Sequence, residues 1–330
     1  MLPRTLALLC LCAAALHAAD RVGNLVGKID YHYLTADRDF YDYRAVFSPD
    51  GSKIVFEHHR IAAADKRVSL YTLSTNGKNL RPLFGPAFPY GSTRPSWSQR
   101  TGQIAFTSEG DGFRLWVANS DGSDPTEITS PMLTDNVEYP HWYPDGRAIV
   151  LVDYLKGAKS EAGQLKKVTL DPADPANPLV QYLTDPATLL AGEPAISPDG
   201  RHIATAAQLD TGRKYDQEKN SIWLVDDATH ALRLFDKLEG RAPAWSPNGK
   251  WITFESNRGS KDGNEYAIFA KRYPDGGRLY QLTPYIFNAQ HCAWSPDGRY
   301  ILCSAQLDAD SPTDGGRGIL VFRTPKELRR

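Results

Sequence analysis

Length, composition and charge limit the kinds of protein that this chain can be. Its 330 residues include 38 Lys and Arg against 39 Asp and Glu, which gives a formal net charge of −1. This nearly equal number of positive and negative side chains excludes a protein that binds nucleic acid or an anionic membrane surface chiefly through its net charge. The 26 glycines and 23 prolines suit many short strands and tight turns, and they do not suit a bundle of long helices.

The first 19 residues are typical of a secretory signal peptide. Arg4 supplies a positive start, an apolar run follows it, and Ala18 and Ala19 offer a small-residue cleavage site. The run is too short to cross a bilayer, and no later segment is apolar enough to do so. We therefore predict that residues 1–19 are removed and that residues 20–330 form a periplasmic or secreted domain. A buried N-terminal helix is the alternative interpretation.

A short motif, typified by Ser-Pro-Asp-Gly, then recurs along the chain. Successive glycines of the motif are separated by intervals of 51, 44, 54, 49 and 49 residues. A period of this size marks a repeat architecture such as a solenoid or a propeller. The six copies are Phe47–Gly51, Trp97–Gly102, Trp142–Gly146, Ile196–Gly200, Trp245–Gly249 and Trp294–Gly298.

The motif has the chemistry of a hairpin turn. Ser, Pro, Asp and Gly match the four positions of a type I turn, and apolar residues stand on both sides of each copy. Two further strand-like runs follow each hairpin, for example residues 114–118 and 127–129. Each unit therefore holds four short antiparallel strands. Six such units predict an all-β fold, a six-bladed β-propeller with four-stranded blades.

The two ends of the chain predict how the ring closes. The last unit has a third strand at residues 318–322, and the few residues after it leave no fourth strand. Residues 25–34, ahead of the first unit, have the pattern of an outer strand. We expect this N-terminal strand to complete the last blade and to cover an edge that would otherwise be open to association.

Two cysteines remain after signal cleavage, Cys292 and Cys303, and they flank the last hairpin. With a four-residue loop they lie opposite each other, whereas a three-residue loop places them on opposite faces. An oxidising compartment would permit a disulfide between them. A pair of free buried thiols is the alternative.

The repeat resembles that of TolB-type propellers, the WD40-like repeat of bacterial exported proteins, over nearly all of the mature chain. The Gly-His and Trp-Asp pairs of ordinary WD repeats are absent. TolB also carries an α/β domain before its propeller, and we expect no counterpart here because residues 20–47 alone separate the signal peptide from the first Ser-Pro-Asp-Gly. The resemblance implies a role in the cell envelope, in contact with a partner protein.

Two kinds of catalytic propeller are possible rivals. A hydrolase of the prolyl oligopeptidase class would need a Gly-x-Ser-x-Gly elbow, and the chain has no such pentapeptide. A metal-dependent enzyme like oligogalacturonate lyase would need several converging histidines. His141 and His291 lie on the same side of the pleat, but two histidines do not complete such a site.

The mouth of the propeller channel is the predicted binding site. Residues just before each inner strand should line it, and their mixture of charge and aromatic surface could hold a ligand. They are Arg44, Arg94, Tyr139, Glu193, Arg241 and His291.

We predict a monomeric, non-catalytic binding scaffold that holds an envelope protein or a small ligand at this face, without nucleic acid, cofactor or metal. Two alternatives remain open. One is a metal-dependent, carbohydrate-active propeller enzyme with a metal near His291, and the other is a purely structural envelope protein.

Overall fold

A computed structural model describes residues 22–329, except for several internal segments. Those segments are residues 64–66, 111, 155–162, 172–173, 175–176, 211–215, 275–276 and 309–314. The predicted signal peptide, residues 1–19, lies outside the described residues. Within them the chain is all-β, with 25 strands, four short 3-10 helices and no α-helix. None of the helices found there is long and apolar enough to span a membrane.

Two short strands near the N terminus precede the repeated part of the fold, β1 (Val22–Asn24) and β2 (Tyr31–Tyr33). Groups of four consecutive antiparallel strands follow. The strands of the first two groups are β3 (Phe40–Phe47), β4 (Lys53–Arg60), β5 (Ser69–Ser74) and β6 (Arg81–Pro82), then β7 (Gly91–Trp97), β8 (Ile104–Gly110), β9 (Gly112–Ala118) and β10 (Thr126–Glu127).

The next two groups repeat this arrangement. Their strands are β11 (Val137–Trp142), β12 (Ala148–Tyr154), β13 (Gly163–Thr169) and β14 (Leu179–Tyr182), then β15 (Leu189–Ile196), β16 (His202–Leu209), β17 (Ser221–Asp226) and β18 (Leu232–Glu239). The fifth group again has four strands, and the last has three. These are β19 (Arg241–Trp245), β20 (Trp251–Ser256), β21 (Ala267–Arg272) and β22 (Leu279–Gln281), then β23 (Gln290–Trp294), β24 (Tyr300–Gln306) and β25 (Arg317–Arg323).

Hydrogen bonds connect the strands into four sheets of five, four, eight and eight strands. Each eight-stranded sheet contains two of the groups, and the link between the groups is narrow. It consists of one residue pair in each case, Gly163 with Ala191 and Arg317 with Tyr41. The groups are therefore distinct structural units that touch at their edges.

The repeated turn closes the first hairpin of each group. In the last copy the amide of Gly298 donates to the carbonyl of Ser295 at 2.8 Å, and the amide of Ser295 donates to the carbonyl of Tyr300 at 2.9 Å. The Ser295 hydroxyl donates to Asp297 at 2.7 Å. Gly298 has a φ of +68°, a conformation that glycine adopts without steric cost. The Ser, Asp and Gly of this copy thus each take a direct part in the turn.

Buried apolar side chains fill the space between neighbouring groups. Six separate clusters are present among the described residues, and each combines side chains from two groups that follow one another. One of them joins the two ends of the chain, since Phe47 and Phe56 of the first group pack with Ile319 and Val321 of the last. The core is therefore divided among the interfaces between groups.

The N-terminal segment lies across the last two groups. Strand β2 pairs antiparallel with β25, with Tyr31 opposite Phe322 and Tyr33 opposite Leu320. The sequence predicts an outer strand over residues 25–34, but the paired strand is confined to Tyr31–Tyr33, because Val26–Lys28 form a 3-10 helix. Strand β1 adds to the fifth group by pairing parallel with β22, an addition that the sequence pattern did not predict.

Cys292 and Cys303, the two cysteines within the described residues, are free and buried. The bulge that contains Cys292 interrupts the pairing between β23 and β24, between the pairs Gln290–Ser304 and Ala293–Leu302. The Cys292 thiol instead donates to the Thr253 hydroxyl at 3.1 Å. Of the two alternatives left open by the sequence, the structure contains the free thiols.

Thiol titration tests this arrangement. We expect Ellman's reagent to detect no thiol in the folded mature chain and two after unfolding without reductant. Burial raises the pKa of the Cys292 thiol to about 12 and also raises that of Cys303, so neither forms a reactive thiolate at neutral pH. A titre of zero in the unfolded chain would instead reveal a disulfide between them.

Candidate binding site

Every group has a β-bulge at the same place in its first strand. A bulge puts two residues of one strand opposite one residue of the next, and it redirects the side chains and amides at that point. The bulges lie between Tyr43 and Val46, Thr93 and Ser96, Glu138 and His141, Ala191 and Pro194, Arg241 and Ala244, and Gln290 and Ala293.

Most of these bulges hold a residue other than glycine in a left-handed conformation. Such a conformation is uncommon and costs free energy, so its repetition indicates a constraint that the fold imposes. The residues and their φ values are Arg44 (48°), Arg94 (52°), Tyr139 (55°), Ala242 (45°) and His291 (46°). Glu193 lies within the remaining bulge.

The bulges turn backbone amides sideways toward acidic side chains of the preceding group. The amide of Arg94 donates to Glu57 at 2.7 Å, and the amide of Ala242 donates to Glu193 at 2.8 Å. The amide of His291 donates to Glu255, also at 2.8 Å. These bonds connect neighbouring groups through the same structural device, and the sequence pattern gave no sign of them.

The bulges together line a cavity of about 110 Å³. Its polar wall consists of Arg44, Arg94, Tyr139, Glu193 and His291, five of the six residues that the sequence predicts for the mouth. Each belongs to a different group. With Ala242 of the fifth group, the cavity is therefore the point at which all six units of the repeat converge.

Arg241, the sixth predicted residue, lies just outside this wall. The equivalent position in the fifth group is the next residue, Ala242, which does line the cavity. Arg241 binds Glu255 at 3.0 Å and Glu218 at 2.9 Å, and its guanidinium carbon lies 4.1 Å from the centre of the Tyr266 ring. The predicted residue, Arg241, is thus one position before the residue of the fifth group that lines the cavity.

Two arginines and a tyrosine form one side of the cavity. The guanidinium carbons of Arg44 and Arg94 lie 5.6 and 4.8 Å from the centre of the Tyr139 ring, close enough for cation–π attraction. Arg44 also pairs with Glu57 at 3.0 Å, and Arg94 pairs with Glu138 at 2.9 Å. The two cations are thereby fixed in position on either side of one aromatic ring.

The two acidic partners of these arginines differ in their electrostatics. Burial disfavours the charged form of Glu57, but Arg44, the Thr93 hydroxyl and Arg94 outweigh burial and hold its pKa below the usual value. For Glu138, burial dominates over Arg94, and its pKa is raised. Glu57 is therefore a permanent anion at neutral pH.

Glu193 and His291 form the opposite side. One oxygen of Glu193 accepts the amide of Ala242, and the other lies 3.8 Å from Nδ1 of His291. The His291 ring contacts the Tyr43 ring edge-on, with 4.6 Å between centroids. Burial, followed by Arg44 and other arginines, holds the pKa of His291 well below its usual value. The imidazole is therefore neutral at neutral pH.

The other histidine considered from sequence does not share this wall. His141 lies at the end of its bulge, and its Nδ1 lies 3.2 Å from the Trp142 carbonyl oxygen. Burial lowers the pKa of its ring to about 4. In the described ranges no three His, Cys, Asp or Glu side chains are grouped closely enough to hold a metal ion.

No protein-family model matches the chain. It is 27% identical over 124 residues to the uncharacterized peptidase YuxL of Bacillus subtilis, a match that covers 37% of this chain and 18% of YuxL. It is 30% identical over 165 residues to the uncharacterized protein Atu1656 of Agrobacterium fabrum, which covers 50% of this chain and 49% of Atu1656. The chain thus spans half or less of the curated relatives it matches.

Solved structures resemble the chain over most of its length. A putative TolB from Agrobacterium tumefaciens has a TM-score of 0.56 at 17% identity and covers 77% of this chain and 96% of its own. A gluconolactonase from Xanthomonas campestris has a TM-score of 0.61 at 14% identity, covering 91% of both chains. An oligogalacturonate lyase in complex with manganese has a TM-score of 0.57 at 13% identity, covering 92% and 97%. At these identities the likeness establishes the fold alone, and the chain has an all-β, TolB-like propeller fold.

Proposed function

We propose that this protein is an exported, six-bladed propeller that recognises an envelope protein or a small ligand at the mouth of its central cavity, without catalysis. Residues 1–19 would direct export, and residues 20–330 would form the propeller. The cavity wall described above is the recognition site. The proposal makes the chain a binding scaffold of the periplasm.

The proposed ring of six blades rests on the contacts between groups. Each of the six apolar clusters bridges two consecutive groups, and the cluster around Phe47 and Ile319 bridges the last group to the first. Strand β2 would serve as the fourth strand of the last blade through its pairing with β25. A Cβ atom built on Gly51 of the first group would also lie 3.8 Å from Pro296 of the last.

The binding role rests on one observation, the convergence of five bulge residues on one cavity. The fold needs a hairpin turn and apolar faces in every blade, but it does not need arginine, tyrosine, glutamate and histidine at the bulge. A concave site with a few convergent polar groups is the usual form of a ligand site. The fixed ion pairs of Arg44 and Arg94 hold these groups in advance, which lowers the entropic cost of binding.

A capture experiment tests the proposal. The mature chain is immobilised and exposed to a solubilised envelope fraction and to its small-molecule extract, beside an Arg94→Gln variant and an Arg100→Gln control. Arg100 is an exposed residue of the second copy of the repeated turn, beyond the end of β7 and away from the bulge. We expect a species retained by the parent and the control, with about tenfold weaker retention by Arg94→Gln, because one charged contact is commonly worth that factor.

Folding must be equal for the comparison to hold. Circular dichroism and the unfolding midpoint verify it, and Tyr139→Phe provides a milder second variant that keeps the ring. Retention of the same species by all proteins would overturn the proposed site. Retention of none would favour the alternative of a purely structural envelope protein.

A further inference from the structure

The carboxylates around the cavity are not equally neutralised. Glu57 pairs with Arg44 at 3.0 Å, Glu138 pairs with Arg94 at 2.9 Å, and Glu255 pairs with Arg241 at 3.0 Å. Within the described part of the chain, Glu193 instead has its ion-pair contact with His291, at 3.8 Å. Burial and the nearby arginines hold the pKa of that imidazole well below its usual value. Among the described residues, Glu193 thus has no guanidinium or ammonium group at ion-pair distance, although Arg44 and Arg241 lie near enough to interact with it electrostatically.

Some N–H donors of the two arginines at the cavity are not used by their ion pairs. A guanidinium group has five N–H donors, and the ion pairs with Glu57 and Glu138 use only some of them. Within the described residues, the buried Nε atoms of Arg44 and Arg94 have no hydrogen-bond partner. Buried donors of this kind are usually satisfied, so each one calls for an explanation. An anionic group that reached these atoms would supply acceptors.

The two sides together define a dipolar site. A polyanion would be attracted to Arg44 and Arg94 but repelled by Glu193. A polycation would be attracted to Glu193 but repelled by the two arginines. A ligand that carries one negative and one positive group would satisfy both sides at once. The pair of charges on the ligand must also be close together, because all these residues line one small cavity.

The volume of the cavity limits the ligand further. Small-molecule pockets commonly measure about 300–1,000 Å³, whereas this cavity measures about 110 Å³. A space of this size suits a molecule with a handful of non-hydrogen atoms, whereas a sugar chain or a folded segment of a protein would extend beyond it.

We propose that the cavity binds a small zwitterion, an α-amino acid with a small side chain, with its carboxylate against the guanidinium groups of Arg44 and Arg94 and its ammonium group against Glu193. This inference rests on the proposed function and specifies the ligand class. Small α-amino acids carry both charges on one carbon, which matches the closeness of the two sides. The end of a polypeptide carries just one of the two charges and would satisfy one side alone.

Titration calorimetry on the mature chain tests the inference with glycine, L-alanine, L-tryptophan, acetate and methylammonium. We expect saturable binding of glycine and alanine, and binding at least about tenfold weaker for acetate and methylammonium, each of which lacks one charge. Tryptophan should bind weakly or not at all because its side chain exceeds the cavity. Acetate binding as tightly as glycine would overturn the zwitterion and indicate a simple carboxylate site.

Matched variants locate the two contacts. Glu193→Gln should weaken glycine binding by about tenfold and leave acetate binding unchanged, whereas Arg94→Gln should weaken both. Glu218→Gln is the control, because Glu218 pairs with Arg241 outside the cavity wall. Undiminished glycine binding by Glu193→Gln, or no binding of any of the five probes, would overturn the inference. The capture experiment is an independent test. If the parent protein retains a partner that the Arg94→Gln variant does not retain, the proposed function stands even when the zwitterion inference fails.

Discussion

Replacing Lys166 with methionine is expected to lower the free energy of unfolding by about 3–5 kcal/mol, because it leaves a buried carboxylate without its cation. The side chains of Lys166 and Asp153 are 3% and 0% exposed, and they form an ion pair between β12 and β13. The ammonium group also lies 2.5 Å from the carbonyl oxygen of Met132. Asp153 in turn accepts the hydroxyl of Thr134. The pair thus anchors the segment that leads into β11, and urea unfolding followed by circular dichroism measures its loss.

The next residue in the same strand provides the control. Lys167 pairs with Asp227 at 2.7 Å, but these side chains are 21% and 18% exposed. Water screens such a pair, and its loss commonly costs about 1 kcal/mol or less. Lys167→Met should therefore unfold close to the parent. Equal destabilisation by the two variants would contradict the burial that we assign to Lys166.

Replacing Gly318 with alanine is expected to destabilise the protein by about 3 kcal/mol, because overpacking forces the backbone to shift. A Cβ atom at this position would lie 2.1 Å from the carbonyl oxygen of Thr35. That segment is held to β25 by the amide of Leu34, which donates to Ile319 at 2.7 Å, and by the Thr35 hydroxyl, which accepts the amide of Ile319 at 2.9 Å. The substitution pushes the N-terminal segment off the last group of strands.

Thermal unfolding and hydrogen exchange report this effect. We expect a lower midpoint and faster exchange of the β2 amides in Gly318→Ala. Gly27→Ala is the control, since no atom lies within 4 Å of a Cβ built there. Normal protection of β2 in Gly318→Ala would show that the N-terminal segment does not depend on this close approach.

The strands and turns could be predicted because their signals are local and repeated. The turn from Ser295 to Gly298 depends on residues within one hairpin, and the same chemistry recurs along the chain. The pairing of β2 with β25 could also be predicted, since the last group visibly lacked a strand. The attachment of β1 to β22 could not, because three residues, Val22–Asn24, carry too little pattern to indicate a partner.

The sequence predicted the candidate site from the positions of its residues within the repeat, and not from the chemistry of their side chains. Counting back from the repeated glycines placed Arg44, Arg94 and Tyr139 at matching points of their strands. The count was one residue off at Arg241, because it ran eight residues back from Gly249, whereas the seven residues that separate Gly51 from Arg44 would have given Ala242. A signal that would have identified the correct residue is the pair Ala242-Pro243. It matches Arg94-Pro95 and the other pairs in which a proline follows the bulge residue.

The contacts between blades could not be predicted from the sequence. The amide bonds to Glu57 and Glu255 join residues 37 and 36 positions apart, and nothing in the local pattern predicts a buried glutamate there. The pairing of Lys166 with Asp153 is similar, because alternation in a strand predicts faces but not ion pairs. The electrostatics of the cavity therefore had to come from the structure.

A designed cross-link tests whether the N-terminal strand closes a ring of blades. His32 lies opposite Val321 in the register of β2 with β25, and opposed residues of an antiparallel pair lie about 4.5–5.5 Å apart between Cα atoms, within the range of a disulfide. We expect the His32→Cys/Val321→Cys variant to oxidise to a single monomeric species, with that bond found by peptide mapping and a raised unfolding midpoint. A His32→Cys/Lys237→Cys control, with its second cysteine on β18, should form no internal bond. Failure of the first pair to cross-link, or equal cross-linking of both pairs, would contradict the closed ring.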